Sequence, residues 1–370
     1  MIYLDNSATT QPRKEVLDAF VKVNEQFYAN PASLHMLGNQ AEDLLETARN
    51  QLKEQLQMES VVFTSGGTEA NNLALFGTAR SYQHRGKHIV TAQTEHSSVS
   101  NSLAALEREG FKITRLSVNH SGEINVDELE NSLQSDTILV SLMHVNNEIG
   151  TIHPVADIAR LLKKKRIFFH VDAAQSMGKL EFDPTALPDL ITISAHKIHG
   201  LKGSGLLAYS GVELETIQYG GGQESGIRSG TVSVPNAVAL AKALRLAEPN
   251  PLYRKWNQDL RQFFSEFNGV KIVSPKQAAA HILAVAVKGV KGEILVSGLQ
   301  KESIIVSTSS ACSSKGANTS HVVQAIGLPR EFKDGVMRIS FGNFTEERDI
   351  IALQSAFQRV YRMIKGANHL

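Results

Sequence analysis

The chain has 370 residues, 42% hydrophobic and 20% charged, with a formal net charge of +1. It can therefore bury a large core, and it carries no global field that would draw it directly to nucleic acid or to a membrane surface. No apolar run reaches bilayer length, and one cysteine, Cys312, excludes an intramolecular disulfide or a multi-cysteine metal cage within the chain.

In chain order, the opening MIYLDNSATT lacks the basic and apolar blocks of an export signal, so a cytoplasmic location is expected. Apolar residues at helical spacing in AEDLLETARNQLKEQL predict a helix over 41–56, and SVVFT (60–64) and HIVTA (88–92) read as strands. TILVSLM (137–143), RIFFHV (166–171), DLITIS (189–194) and GLLAY (205–209) read as further strands, with a helix over 155–165 ending in a solvated KKKR run. Alternation of this kind predicts an α/β fold with a mainly parallel sheet covered by helices. Beyond Pro249 the pattern changes to a helix through WNQDLRQFFSEF, strands HILAVAV and VMRISF, and a final helix from Glu346, which suits a smaller α+β unit. The expected division is a large domain over 13–249 and a small domain made of 1–12 and 250–370.

The polar residues that end these strands are the candidate chemistry. TSGGTEANN is a strand, a glycine turn and a helix start, so the Gly67 and Thr68 amides and the Thr68 hydroxyl suit a phosphate, although an ordinary capped turn uses the same residues. His96, just after HIVTA, could stack on a planar cofactor and move protons near neutral pH. Asn147, after TILVSLM, could hydrogen-bond a cofactor phenolic oxygen or a substrate carboxylate, or serve only as a turn asparagine. Asp172 and Lys197 each close an apolar run twenty-five residues apart; a carboxylate there can pair with a protonated pyridine nitrogen and a lysine can hold an aldehyde as a Schiff base, which suggests pyridoxal 5′-phosphate. Gln175 follows Asp172 closely enough to reach the same ring, and Ser194 and His196 flank the lysine as phosphate donors.

GGGQESGIRSGT (220–231) is either a flexible loop or a tight one that brings Thr231 to a phosphate, across a dimer interface. Cys312 lies in STSSACSSKGANTS, a small-residue polar tract without periodicity, where an accessible reactive thiol is expected. Arg338, in VMRISF, is the candidate bidentate clamp for a substrate carboxylate.

Taken together, LDNSATT, NPASLH, TSGGTEANN, TEHSSV, HVNNEIGT, VDAAQS, SAHKIHG, GGGQESGIRSGT, SSACSS and RISFGNFT resemble, in order, the NifS/IscS-type cysteine desulfurases, in the subgroup with the longer SxACxS loop. The resemblance implies a homodimeric fold-type I PLP-dependent transferase that takes sulfur from L-cysteine and leaves L-alanine. It implies that Lys197 carries the cofactor, that Asp172 and Gln175 meet its ring nitrogen and oxygen, and that His96 stacks on the ring. Gly67, Thr68, Ser194 and His196 would cradle the phosphate with Thr231 of the partner subunit, and Asn147 and Arg338 would fix ring face and substrate. Cys312 would receive the sulfur as a persulfide and pass it to a protein acceptor in iron–sulfur assembly or tRNA thiolation. Ser225 and Leu201 depart from the arginine and proline common at those places. A related PLP lyase or class V aminotransferase would share the cofactor residues without needing Cys312, and a non-catalytic scaffold would need none of them.

Overall fold

The computed structural model describes residues 1–308 and 320–367. The chain starts with the short strand β1 (Ile2–Tyr3), then α1 (Lys14–Gln26) and α2 (Met36–Leu56). There follow β2 (Ser60–Thr64), α3 (Gly67–Tyr82), β3 (His88–Ala92), α4 (Ser97–Arg108), β4 (Lys112–Leu116) and α5 (Val126–Ser132). Next come β5 (Thr137–Met143), α6 (Val155–Lys165), β6 (Phe168–Asp172), β7 (Leu190–Ser194), β8 (Gly205–Tyr209) and α7 (Val234–Arg245), which packs across α1 and α2. Among the described residues, β2 to β8 form one seven-stranded sheet in the order β2-β8-β7-β6-β5-β3-β4. Strands β7, β6, β5, β3 and β4 are parallel, and β8 runs antiparallel to both its neighbours. Every residue of β3, β5 and β7 is buried, as expected for parallel strands covered by helices on both faces.

Two departures from the sequence reading have plain causes. Strand β4 was not foreseen: KITRL lies on the sheet edge with Lys112 and Arg115 outward, and Arg115 pairs with Glu107 at 2.7 Å, so its charges hide the strand pattern while protecting the edge. Strand β6 begins at Phe168 rather than at 166, because Arg166 takes a left-handed φ of 57° that terminates α6.

After α8 (Leu252–Ser265) come β9 (Val270–Ile272), β10 (Ile282–Val287), α9 (Gly292–Lys301), β11 (Ile304–Ile305) and β12 (Ser307–Thr308). The described chain resumes with α10 (His321–Ala325), α11 (Arg330–Lys333), β13 (Val336–Ser340) and α12 (Glu347–Ala367). An antiparallel sheet in the order β12-β13-β10-β9 buries Trp256, Phe264, Phe341 and Phe357 in its own core. The chain start belongs with this sheet: β1 pairs with β11, and Ser340 N–H donates to Leu4 O at 2.7 Å. It then crosses to the large sheet, where Thr10 N–H donates to His196 O at 2.8 Å. Residues 7–10 are thereby held against the end of β7. Among the described residues no helix is long and apolar enough to cross a membrane.

Candidate active site

Strand order reverses between β3 and β5, and in such sheets the crevice beyond the carboxyl ends of the strands is where ligands bind. A cavity of about 480 Å³ opens there. Gly67, Thr68, His96, Asn147, Asp172, Gln175, Ser194, His196 and Lys197 all line it, so the strand ends bring together nine residues from five separate segments of the chain.

At one end lies the start of α3. Ala70 N–H makes the first helical bond, to Gly66 O at 3.1 Å, so the amides of Gly67 and Thr68 precede the ladder and remain as donors beside the positive end of the helix dipole. Gly66 is at φ 150°, and a Cβ on Gly205 would come within 2.6 Å of Gly66 Cα; both glycines are needed for the turn to lie this close to the sheet. Ser194 is buried beside Gly67, and Lys202 adds a second cation to the lining. His196 Nδ1 lies 3.1 Å from Thr9 Oγ1, and burial next to Lys197 pushes its pKa down to about 4, which leaves it neutral. Amides, hydroxyls and lysines at one end of a cavity form a donor set for a phosphate.

At the other end Asp172 ends β6, buried. Its Oδ2 accepts from Asn71 Nδ2 at 2.8 Å and its Oδ1 from Ala174 N–H at 3.0 Å. Between the two ends, Lys197 closes a single 3-10 turn after β7, and its Nζ donates to the carbonyls of Ser7 and of Ala8, the latter at 2.9 Å. Gln175 gives one amide hydrogen to Ser7 O at 2.9 Å and keeps a second. A lysine amine between an anion-binding end and a fixed carboxylate fits a planar aldehyde cofactor with one phosphate arm and a basic ring nitrogen.

His96 is the N-cap of α4. Its Nδ1 lies 2.8 Å from Ser98 Oγ and 3.2 Å from Ser98 N, and Asn71 Nδ2 also donates to Ser98 Oγ at 2.8 Å. Burial pushes the His96 pKa down, with Lys197 adding to the effect and Asp172 opposing it. None of this was read from the sequence: Asn71 and Ser98 are twenty-seven positions apart, and only the fold shows that they meet.

Three predicted residues lie elsewhere. Thr231 is exposed and outside the cavity of its own chain. Its loop is nevertheless built rather than loose: Arg228 Nε donates to Glu69 Oε1 at 2.6 Å at the cavity rim, and Glu224 is buried against Arg49 at 2.7 Å. Arg338 is 1% exposed and does not line the cavity; its Nη2 donates to Asp5 Oδ1 at 2.7 Å and its Nη1 to Asn147 O at 2.9 Å, while its Nε is buried with no hydrogen-bond partner among the described residues. Cys312 lies outside the described residues.

Two buried carboxyls were also missed. Glu95 Oε1 accepts from Met143 N–H at 2.9 Å, and burial pushes its pKa well up. Glu148 Oε2 accepts from the Ser320 hydroxyl at 2.6 Å, and burial pushes its pKa up to about 7 against the opposing effects of that bond and of Arg338. Folded Glu148 thus holds its proton to higher pH than the unfolded chain does, so its contribution to stability is complete below pH 4.5 and is lost as the pH rises through about 7. Glu148→Gln is expected to flatten this decline in urea midpoint between pH 4.5 and 7. Parallel declines in the two proteins would show that Glu148 does not titrate in that window.

Residues 2–353 match the family model for aminotransferase class-V. The chain belongs to this family. The NifS/IscS-type resemblance read from the motifs holds at full length: a NifS/IcsS protein homolog of Lactobacillus delbrueckii subsp. bulgaricus is 40% identical over 385 residues, covering all of both chains. A cysteine desulfurase IscS of Proteus mirabilis is 41% identical over 94% of this chain and 90% of its own. Among solved structures, a NifS-like protein superposes with a TM-score of 0.90 at 32% identity, covering 98% of this chain and 99% of that one. SspA in complex with cysteine gives 0.83 at 30% identity, covering 94% and 100%. Class-V enzymes depend on pyridoxal phosphate, and the seven-stranded α/β sheet is the fold-type I architecture expected from the motifs.

Proposed function

We infer that the protein is a pyridoxal phosphate-dependent cysteine desulfurase, which takes sulfur from L-cysteine and leaves L-alanine. One observation carries this reading: Lys197 stands in a single cavity between the carboxylate of Asp172 and the unbonded amides at the start of α3. Gly67, Thr68, Ser194 and His196 would hold the phosphate, Asp172 the ring nitrogen, Gln175 the ring oxygen, and His96 and Asn147 the ring face. Bound there, pyridoxal phosphate supplies the electron sink that lets the α-proton of an amino acid leave and weakens its C–S bond.

The chain's own residues do the rest. Lys197 would hold the cofactor aldehyde in the absence of substrate, and with substrate bound its amine would take the α-proton at Nζ. The Cys312 thiolate would attack the substrate sulfur; an S–S bond forms as the C–S bond breaks, the electron pair goes to the departing carbon fragment, a proton adds at its β-carbon, and Lys197 returns the α-proton to complete alanine. The substrate carboxylate would meet Arg338, sharing its guanidinium with Asp5. Thr231 would complete the phosphate cradle of the partner subunit in a homodimer. The small domain, 1–12 and 250–370, would carry Cys312 between the cavity and a protein acceptor in iron–sulfur assembly or tRNA thiolation. A cytoplasmic location suits a thiol that must return to its reduced state.

The test is to incubate the purified protein with L-cysteine, quantify alanine, and locate any added sulfur by peptide mass spectrometry. Alanine together with one extra sulfur atom on the Cys312 peptide supports the reading. A keto acid in place of alanine, or a Cys312 that never gains mass, overturns it in favour of an aminotransferase or lyase.

A further inference from the structure

The hydrogen bonds around His96 can be assigned direction from chemistry alone. A carboxylate oxygen only accepts, so the amide nitrogen of Asn71, not its oxygen, faces Asp172 Oδ2 at 2.8 Å. The second hydrogen of that nitrogen goes to Ser98 Oγ, also at 2.8 Å. A hydroxyl has one hydrogen to give; having accepted from Asn71, Ser98 spends it on its other neighbour, His96 Nδ1, at 2.8 Å. The backbone N–H of Ser98 points at the same nitrogen from 3.2 Å. Two donors converge on Nδ1, which must therefore keep its lone pair. In a neutral ring the proton then resides on Nε2, the nitrogen left to the cavity that His96 lines.

Burial strengthens each step. Asn71 is 1% and Ser98 7% exposed, so their direct bonds to Asp172 and His96 face little competition from water. A proton on Nδ1 would face the backbone N–H of Ser98 and force its hydroxyl hydrogen to turn away from the ring, at a cost of about 1–3 kcal/mol for a stranded buried donor. The line of donors also starts from the carboxylate that orients the opposite side of the site, so one rigid chain sets both Asp172 and His96.

We propose that Asn71 and Ser98 are positioning residues that lock His96 as an Nε2–H donor towards the cavity, so that His96 meets the substrate by hydrogen bonding and the work of base falls to Lys197. This deepens the desulfurase reading, and its last clause rests on it; the locked tautomer stands independently of any turnover. Neither Asn71 nor Ser98 touches the reacting atoms in this scheme; both act through the imidazole.

The experiment is nitrogen NMR on the full-length protein labelled with ¹⁵N-histidine, with the His96 signals assigned from a His96→Gln sample. Wild type is expected to show one neutral form, Nδ1 pyridine-like and Nε2 pyrrole-like. Ser98→Ala and Asn71→Leu are each expected to shift the population about fivefold towards the Nδ1–H form, the change that loss of one hydrogen bond of ~1 kcal/mol produces. Ser98→Thr, which keeps the hydroxyl, should restore the wild-type spectrum; a merely structural role for Ser98 would not make the tautomer follow the hydroxyl. A wild-type Nδ1 that already carries the proton overturns the proposal. So does an Nδ1 signal that stays put in both variants. Because the readout is the ring nitrogen, it separates from the desulfurase reading: a protein with locked His96 and no alanine formation would sink only the latter.

Discussion

Lys197→Ala is expected to abolish useful turnover of L-cysteine, lowering alanine formation by roughly 10²–10⁴-fold, the range for loss of a positioned proton-transferring group. The argument is positional. Lys197 Nζ sits on the carbonyls of Ser7 and Ala8, between the Asp172 carboxylate and the amides of α3, and among the described residues no other lysine shares that placement: Lys202 lines the phosphate end, and Lys179 has its Nζ 3.4 Å from Gln175 O. Burial lowers the Lys179 pKa to about 7, yet Lys179 does not line the cavity and so is no substitute. Lys197→Arg separates charge from chemistry, because a guanidinium keeps the cation but neither deprotonates nor forms a Schiff base. The same loss is expected for both variants. Alanine release measures it, and borohydride treatment followed by peptide mapping should place the cofactor on the Lys197 peptide of wild type only. An arginine variant keeping more than about a tenth of the wild-type rate would refute the assignment.

The electrostatics of the cavity point the same way. His96 and His196 both face Lys197, and burial with that cation holds them neutral, His196 at about 4. Beneath Asp172, His170 is buried between Ser141 Oγ and Thr192 Oγ1 at 2.8 and 3.0 Å, and is likewise lowered to about 4. The histidines therefore add shape and hydrogen bonds but no charge. Positive charge at the cavity lining is left to Lys197 and Lys202, where a phosphate must be bound, and the proposed substrate clamp Arg338 lies outside that lining.

How much of this could be read from residues alone depended on distance along the chain. Asp172, Gln175, Ser194, His196 and Lys197 were legible because each ends an apolar strand or follows one within three residues, and strand ends in an α/β sheet share one edge. Strand β4 was illegible because an edge strand carries charge where a buried one carries valine. The supporting contacts were illegible for another reason. Ser7 and Ala8 reach Lys197 through backbone carbonyls, which no side-chain pattern reports, and they do so only because β1 is anchored on β11 some three hundred residues later. Asn71 looked like a residue of a helix start, and only the approach of α4 to α3 gives it Ser98 as a neighbour. Arg338 was read as a clamp for a substrate carboxylate, but its ion pair with Asp5 could not be read, because it depends on that same return of the chain start.

Asp172→Asn tests the other end of the cavity and is expected to slow alanine formation by roughly 10–10³-fold. An opposite charge at contact distance raises the pKa of a basic nitrogen by about 1–3 units, and the isosteric amide removes that charge while keeping the volume. The cost to the fold is smaller but definite. Asp172 now accepts from Asn71 Nδ2 and from Ala174 N–H; an asparagine has one oxygen for two donors, so its own NH₂ must face one of them, at about 1–3 kcal/mol. Asn71 can relieve part of this by turning its amide, and then its oxygen would face Ser98, whose hydrogen would leave His96 Nδ1. The substitution should therefore loosen His96 as well as remove the charge. Cofactor content measured after denaturation is expected to remain substantial, since the phosphate donors on α3, β7 and the turn after it are untouched. A variant that loses cofactor altogether would mean that Asp172 anchors rather than activates, and a variant with the full wild-type rate would mean that the carboxylate does not serve the ring nitrogen at all.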